Sequence, residues 1–181
     1  MKTEIIMSIE EEILKEKVVK SANFMAPYFS MDKNSHYFYH ASDLLKIRNG
    51  GKECAYRQDN VMFLLKEAND SDIGHELGHW FHNVINPEGF NFGVKYAPHI
   101  LSVYQYLEII ADYGEAVNIT SGAVVKDENL KSHMKFLINL PRLKVYQNGR
   151  NELGNFLETE KEKLNLVYEL LGKYVERSKR N

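Results

Sequence analysis

IGHELGHWFHN, residues 73–83, places His75 and His79 four positions apart within a run of small and apolar residues. On a helix that spacing puts both imidazoles on one face, one turn from each other. Two neutral imidazoles so placed can reach a single Zn²⁺ at about 2.0–2.1 Å. Glu76 projects roughly 100° around the helix from His75. It stays near such an ion without being a ligand, where it can take a proton from metal-bound water. The competing interpretation is a pair of surface histidines on an ordinary helix, and the surrounding sequence weighs against it.

Upstream, residues 67–72 (EANDSD) offer several helix N-caps, Ser71 among them. A helix is therefore expected over about 72–84, ending near Asn86-Pro87. Ahead of it, Val61, Met62, Phe63, Leu64 and Leu65 form a short apolar run read as a strand. The aromatic segment 36–42 (HYFYHAS) suits another strand, and Asn49-Gly50-Gly51 marks a turn. Ile5, Ile9, Ile13, Val18 and Val19 recur at helical intervals, so residues 4–22 read as an amphipathic helix that Pro27 closes.

Downstream, Gly89, Gly93 and Pro98 make residues 88–98 a loop. A second helix over about 99–118 carries Leu101, Leu107, Ile110, Ala111 and Val117. A helix around 127–139 and a break at Pro141 follow. The last helix, about 151–177, shows one stripe of Leu153, Phe156, Leu157, Leu164, Val167, Leu171, Tyr174 and Val175. That stripe suits packing on this domain's own core better than a dimer seam; the oligomeric state stays open. The fold class expected is α+β, one domain over 1–181. Residues 1–87 form an upper part with a small mixed or antiparallel sheet and the metal-binding helix. Residues 88–181 form a helical lower part.

Zinc needs at least one more protein ligand, and a catalytic site leaves the fourth position to water. His82 shares the face of His75 and His79, but three ligands on one straight helix cannot surround a tetrahedral ion. In YQYLEIIADYGEA, residues 104–116, Glu108 and Asp112 stand four apart, hence on one helix face. Leu107, Ile109, Ile110 and Ala111 make that stretch largely apolar, so its carboxylates want partners. Glu115 is the competing ligand. Glu108 is preferred because only it has an aspartate at i+4, able to support a ligating imidazole from behind.

His-Glu-x-x-His followed by Glu-x-x-x-Asp resembles the gluzincins, the thermolysin-like zinc peptidases, over about residues 60–117. The metzincin continuation is excluded, because His82 and Ile85 stand where that branch has glycine and histidine. The resemblance implies a compact zincin-like fold of minigluzincin size, with 99–118 as the glutamate helix. It implies one Zn²⁺ per chain on His75, His79 and Glu108, Glu76 as general base, and Asp112 fixing the ring of His75. It also makes Val61 to Leu65 the edge strand that pairs with extended substrate. Asp72 departs from the usual extended motif, which prefers an uncharged residue there. Such enzymes stabilise the oxyanion with a later His, Tyr or Arg; Tyr113, His133, Tyr146 and Arg150 all remain open.

The function expected is a zinc metallopeptidase acting on peptide or protein substrate. The alternative is a zincin-like regulatory or binding module that keeps the metal with restricted or no proteolysis. An open coordination position argues against a third option, a purely structural zinc site.

Bulk properties agree with this class. The chain has 181 residues, 44% of them hydrophobic, enough for a real core. A formal charge of −2 gives no global basic field for nucleic acid or anionic membrane. Cys54 is the only cysteine, so no intrachain disulfide can form. Residues 1–20 lack an apolar core of signal-peptide length, Glu10-Glu11-Glu12 interrupting them, and no stretch approaches a membrane span. A cytoplasmic location is expected.

Overall fold

The computed structural model describes residues 9–31, 45–48, 54–56, 61–140 and 152–175. The expected strand at 36–42, the turn at 49–51 and the break at Pro141 lie outside them. The described part is mostly helical with one small mixed sheet, an α+β arrangement.

Helix α1 spans Ile9–Met25 and buries Leu14, Val18, Ala22 and Met25. Ile9 and Ile13, placed on the inner stripe from sequence, are exposed instead. Both stripes have helical spacing, and the one that carries alanine and methionine fits against the neighbouring helices. Pro27 sits in a single 3-10 turn, Ala26–Phe29, closed by Ser30 in the left-handed region.

Three strands follow: β1 (Leu45–Arg48), β2 (Ala55–Tyr56) and β3 (Met62–Leu65). Their order is β1-β3-β2, with β1 parallel and β2 antiparallel to β3. Met62 and Leu64 face the core, in the period-2 alternation of a half-buried strand.

Helices α2 (Asp70–Ile85), α3 (Pro87–Tyr96) and α4 (Leu101–Ile119) come next. Segment 88–98 was expected to be a loop, and most of it is α3. Pro87 opens that helix, where its missing N–H costs nothing. The Asn86 side chain accepts a hydrogen bond from the Gly89 N–H at 3.1 Å. Gly93 lies against Leu107, where an added Cβ would come within 2.9 Å of that side chain. These glycines serve a cap and a close contact, which is why they do not break the helix.

The C-terminal part contains α5 (Glu128–Ile138), α6 (Glu152–Thr159) and α7 (Lys161–Leu171). The single helix expected at 151–177 is thus two, interrupted at Glu160. Leu157, Leu164, Val167, Leu171 and Val175 are buried. They join one continuous core that runs from Leu14 through the sheet and α2. Helix α4 is its axis, buried on nearly every side from Ser102 to Val117. Among the described residues, no helix is long and apolar enough to cross a membrane.

Candidate metal centre

Helix α2 starts at Asn69, whose side chain accepts from the backbone N–H groups of Ser71 and Asp72 at 2.8 and 3.0 Å. Asp72 returns a bond, accepting from the Asn69 N–H at 3.0 Å, and so completes a capping box. The cap thus falls within the 67–72 segment that offers several, while Ser71, named among them, lies inside the first turn. The departure at Asp72 from the gluzincin pattern therefore has a local explanation, as part of the cap.

Helix α2 meets α4 through glycine. A Cβ on Gly74 would lie 2.9 Å from the Glu115 Cα, and one on Gly78 would lie 2.7 Å from the Ala111 Cα. From the other side, a Cβ on Gly114 would fall 2.6 Å from the Gly74 carbonyl oxygen. The two backbones touch, as small-xxx-small surfaces allow. Each glycine of α2 directly precedes one histidine, so this contact brings the histidine face within side-chain reach of α4. The signal for this contact in the sequence is the spacing Gly74-x-x-x-Gly78 together with Gly114.

The carboxylate of Glu108 faces both histidines across this contact. Its Oε2 is 3.6 Å from His75 Nε2, and its Oε1 is 3.6 Å from His79 Nε2. The imidazole rings stand 4.9 Å apart and nearly perpendicular, at 89°. Neighbouring ligands of a tetrahedral ion with bonds near 2.05 Å are separated by about 3.3 Å. The three donor atoms lie within 4.8 Å of one another, close enough to converge on one ion. His75, His79 and Glu108 thus form a group able to hold a metal.

On the opposite side of the His75 ring, Nδ1 lies 3.2 Å from Asp112 Oδ1 and 3.9 Å from Glu115 Oε2. The other oxygen of Glu115 accepts a hydrogen bond from the Ser71 hydroxyl. His75, Asp112 and Glu115 form a second potential metal group. Exposure separates the two: the Glu108 side chain is 20% accessible, against 6% for Asp112 and 3% for Glu115. Solvent approaches the Nε2 side of His75, while the Nδ1 side is closed. Glu76 is buried next to this face, 5% exposed.

His82 points elsewhere. It is fully buried, with Nε2 and the Tyr106 hydroxyl joined by a 2.9 Å hydrogen bond. Burial pushes its pKa down to about 3, so it is a neutral core histidine. Of the possible oxyanion donors, Tyr113 packs in the core against Phe29, and burial, with Tyr28 nearby, raises its pKa to about 12. His133 lines an apolar crevice with Phe136, Leu157 and Leu164 between α5, α6 and α7. Tyr146 and Arg150 lie outside the described residues. Cys54 is half-buried, and its sulfur accepts from the Leu65 N–H at 3.5 Å.

The edge-strand assignment needs correction. Met62 to Leu65 form the middle strand, hydrogen-bonded to β1 on one side and β2 on the other, and Val61 precedes the strand. Its ladder groups are used within the sheet, so it offers no edge to a peptide. The apolar run that identified the strand is itself a sign of a central position. Strand β2 packs against α2. The Asn83 side chain, one turn beyond His79, donates to the Tyr56 hydroxyl at 2.9 Å. The Tyr56 ring meets Phe90, which in turn meets His79.

No family model matches the chain, and no curated protein or solved structure is similar enough to it to indicate a family.

Proposed function

We propose that this chain is a zinc-dependent peptidase of gluzincin type, with Glu76 as its general base. The observation that carries the proposal is the placement of Glu108, 3.6 Å from the Nε2 atoms of both His75 and His79. Two imidazoles and one carboxylate are the donor set of an open, hydrolytic zinc site, whereas structural zinc is usually closed by four protein ligands. Zinc held there would supply Lewis acidity, polarising a scissile carbonyl and acidifying water.

The chain's own residues do the rest. Glu76, buried beside the histidine face, accepts the proton of the attacking water and hands it to the departing amine. Asp112 accepts a hydrogen bond from His75 Nδ1, which leaves the lone pair on Nε2 facing Glu108. Strand β2, last in the sheet order among the described residues, presents backbone to an extended peptide beside α2. Substrate approaches the histidine pair from the side of Glu108, the more accessible of its carboxylate neighbours.

The test is Glu76→Gln. Loss of cleavage of an unfolded protein, with about one zinc per chain retained as in the wild type, supports the peptidase. Wild-type protein that binds zinc yet cleaves nothing in a broad peptide pool would leave a zinc-holding regulator or binding module.

A further inference from the structure

The chemistry above uses Glu108, Asp112 and Glu76 but leaves Glu115 without a role. Burying a carboxylate is costly unless it is hydrogen-bonded or charge-compensated, and Glu115 is only 2% exposed. Its surroundings are built for it. Ser71, His75 and His79 succeed one another at four-residue steps, one stripe along α2. Glu115 spans the first two: one oxygen takes the Ser71 hydroxyl hydrogen and the other lies 3.9 Å from His75 Nδ1. Gly74, between them, allows the Glu115 Cα to approach to 2.9 Å of where a Cβ would stand. Asp112, three residues earlier on α4, reaches the same nitrogen at 3.2 Å.

We propose that Glu115 is a second positioning carboxylate for His75, held in place by the Ser71 hydroxyl. The inference rests on the metal site proposed above and concerns how that site is tuned. Asp112 stands 3.2 Å from Nδ1, within reach of its hydrogen, and a second carboxylate beside that nitrogen restricts the ring further. Glu115 closes the other side of Nδ1, and its charge strengthens His75 as a donor at Nε2. The arrangement ties the metal ligand to the first turn of its own helix through a side chain from another. A rival view makes Ser71–Glu115 a plain tie between α2 and α4, and the two differ in what they do to a bound metal.

Titration of the metal-free protein with Co²⁺ and Zn²⁺ decides this, following affinity, stoichiometry and the visible spectrum of the cobalt form. Glu115→Gln is expected to weaken binding about 10-fold, within the range for groups that support metal ligands, and to shift the cobalt bands. Ser71→Ala should move both readouts the same way by less, Ser71→Thr should restore them, and the double variant should be no worse than Glu115→Gln. A plain tie would lower the melting temperature and leave affinity and spectrum alone; that result overturns the proposal. Two ions in the wild type, with one lost in Glu115→Gln, overturns it as well, since Glu115 would then be a ligand. Should Glu115→Gln fail to fold, Ser71→Ala carries the test. Wild-type protein that binds no metal overturns the site and this inference together, whereas wild-type binding with unaltered variants overturns the inference alone.

Discussion

Gly78 and Ala111 meet backbone to backbone: a Cβ on the glycine would lie 2.7 Å from the alanine Cα and 2.8 Å from its carbonyl oxygen. No rotamer change can relieve that, so Gly78→Ala must push α2 and α4 apart. Overpacking of this kind costs about 1–3 kcal/mol. The metal site should feel it too, because Glu108 comes from one helix and both histidines from the other. Gly93→Ala is the control. Its close neighbour is the Leu107 Cδ1, the far end of a flexible side chain, and alanine gains helix propensity of up to about 1 kcal/mol. Thermal unfolding and zinc titration should show Gly78→Ala impaired in both and Gly93→Ala near wild type. Equal losses in the two would contradict this account of the helix contact.

Metal binding should also register as stability. An ion that binds only the folded state adds about 2.7 kcal/mol at 100 times its dissociation constant. For a chain of this size that is a rise of about 5–10 °C in melting temperature. Chelator should reverse the rise. Glu108→Ala should lose most of it, and Glu88→Ala, an exposed glutamate on α3, should keep it. A zinc response that survives in Glu108→Ala would mean the ion sits elsewhere.

Helices α2 and α4 were legible because their signals are local. Two histidines at i and i+4 and a cap-rich segment before them mark α2 within two residues at its start, and the apolar run of α4 does the same. What escaped depends on partners distant in the chain. Gly89 and Gly93 read as breakers until Asn86 and Leu107 are seen beside them. The interruption at Glu160 has no strong breaker in the sequence, so 151–177 reads as continuous. The middle position of β3 follows from its pairing with β1, whose segment carried no strand assignment. For the site, residue types and spacing named His75, Glu76, His79, Glu108 and Asp112. The role of Glu115 needed the position of Ser71 in space.

His82 gives a pH dependence whose sign can be worked out. Its pKa is about 3 in the folded chain, against an ordinary 6.5, because full burial disfavours the charged ring. Above pH 6.5 the ring is neutral in both states and contributes nothing to the slope. Between 6.5 and 3 only the unfolded chain takes up the proton, so folding stability falls as pH is lowered. The slope is on the order of 1 kcal/mol per pH unit. His82→Gln can keep a hydrogen bond to the Tyr106 hydroxyl but cannot titrate. Urea unfolding from pH 7 to 4.5 should therefore be flatter for the variant. Parallel curves would show that His82 does not carry this part of the acid sensitivity.

The cap at Asn69 links folding to the site through one turn of helix. Asn69 accepts from the N–H groups of Ser71 and Asp72, and Asp72 accepts from the N–H of Asn69. Asn69→Ala removes the first two bonds and should cost about 1 kcal/mol, whereas Asn69→Asp, also a good cap, should cost little. The turn that frays is the one that carries Ser71, and Ser71 holds Glu115 against His75. Amide exchange should therefore quicken first at residues 71–73. Zinc affinity should fall in Asn69→Ala by less than in Ser71→Ala, since the hydroxyl remains present in the folded fraction. An Asn69→Ala variant with wild-type stability and exchange would show that the first turn is held by its contacts with α4 rather than by its cap.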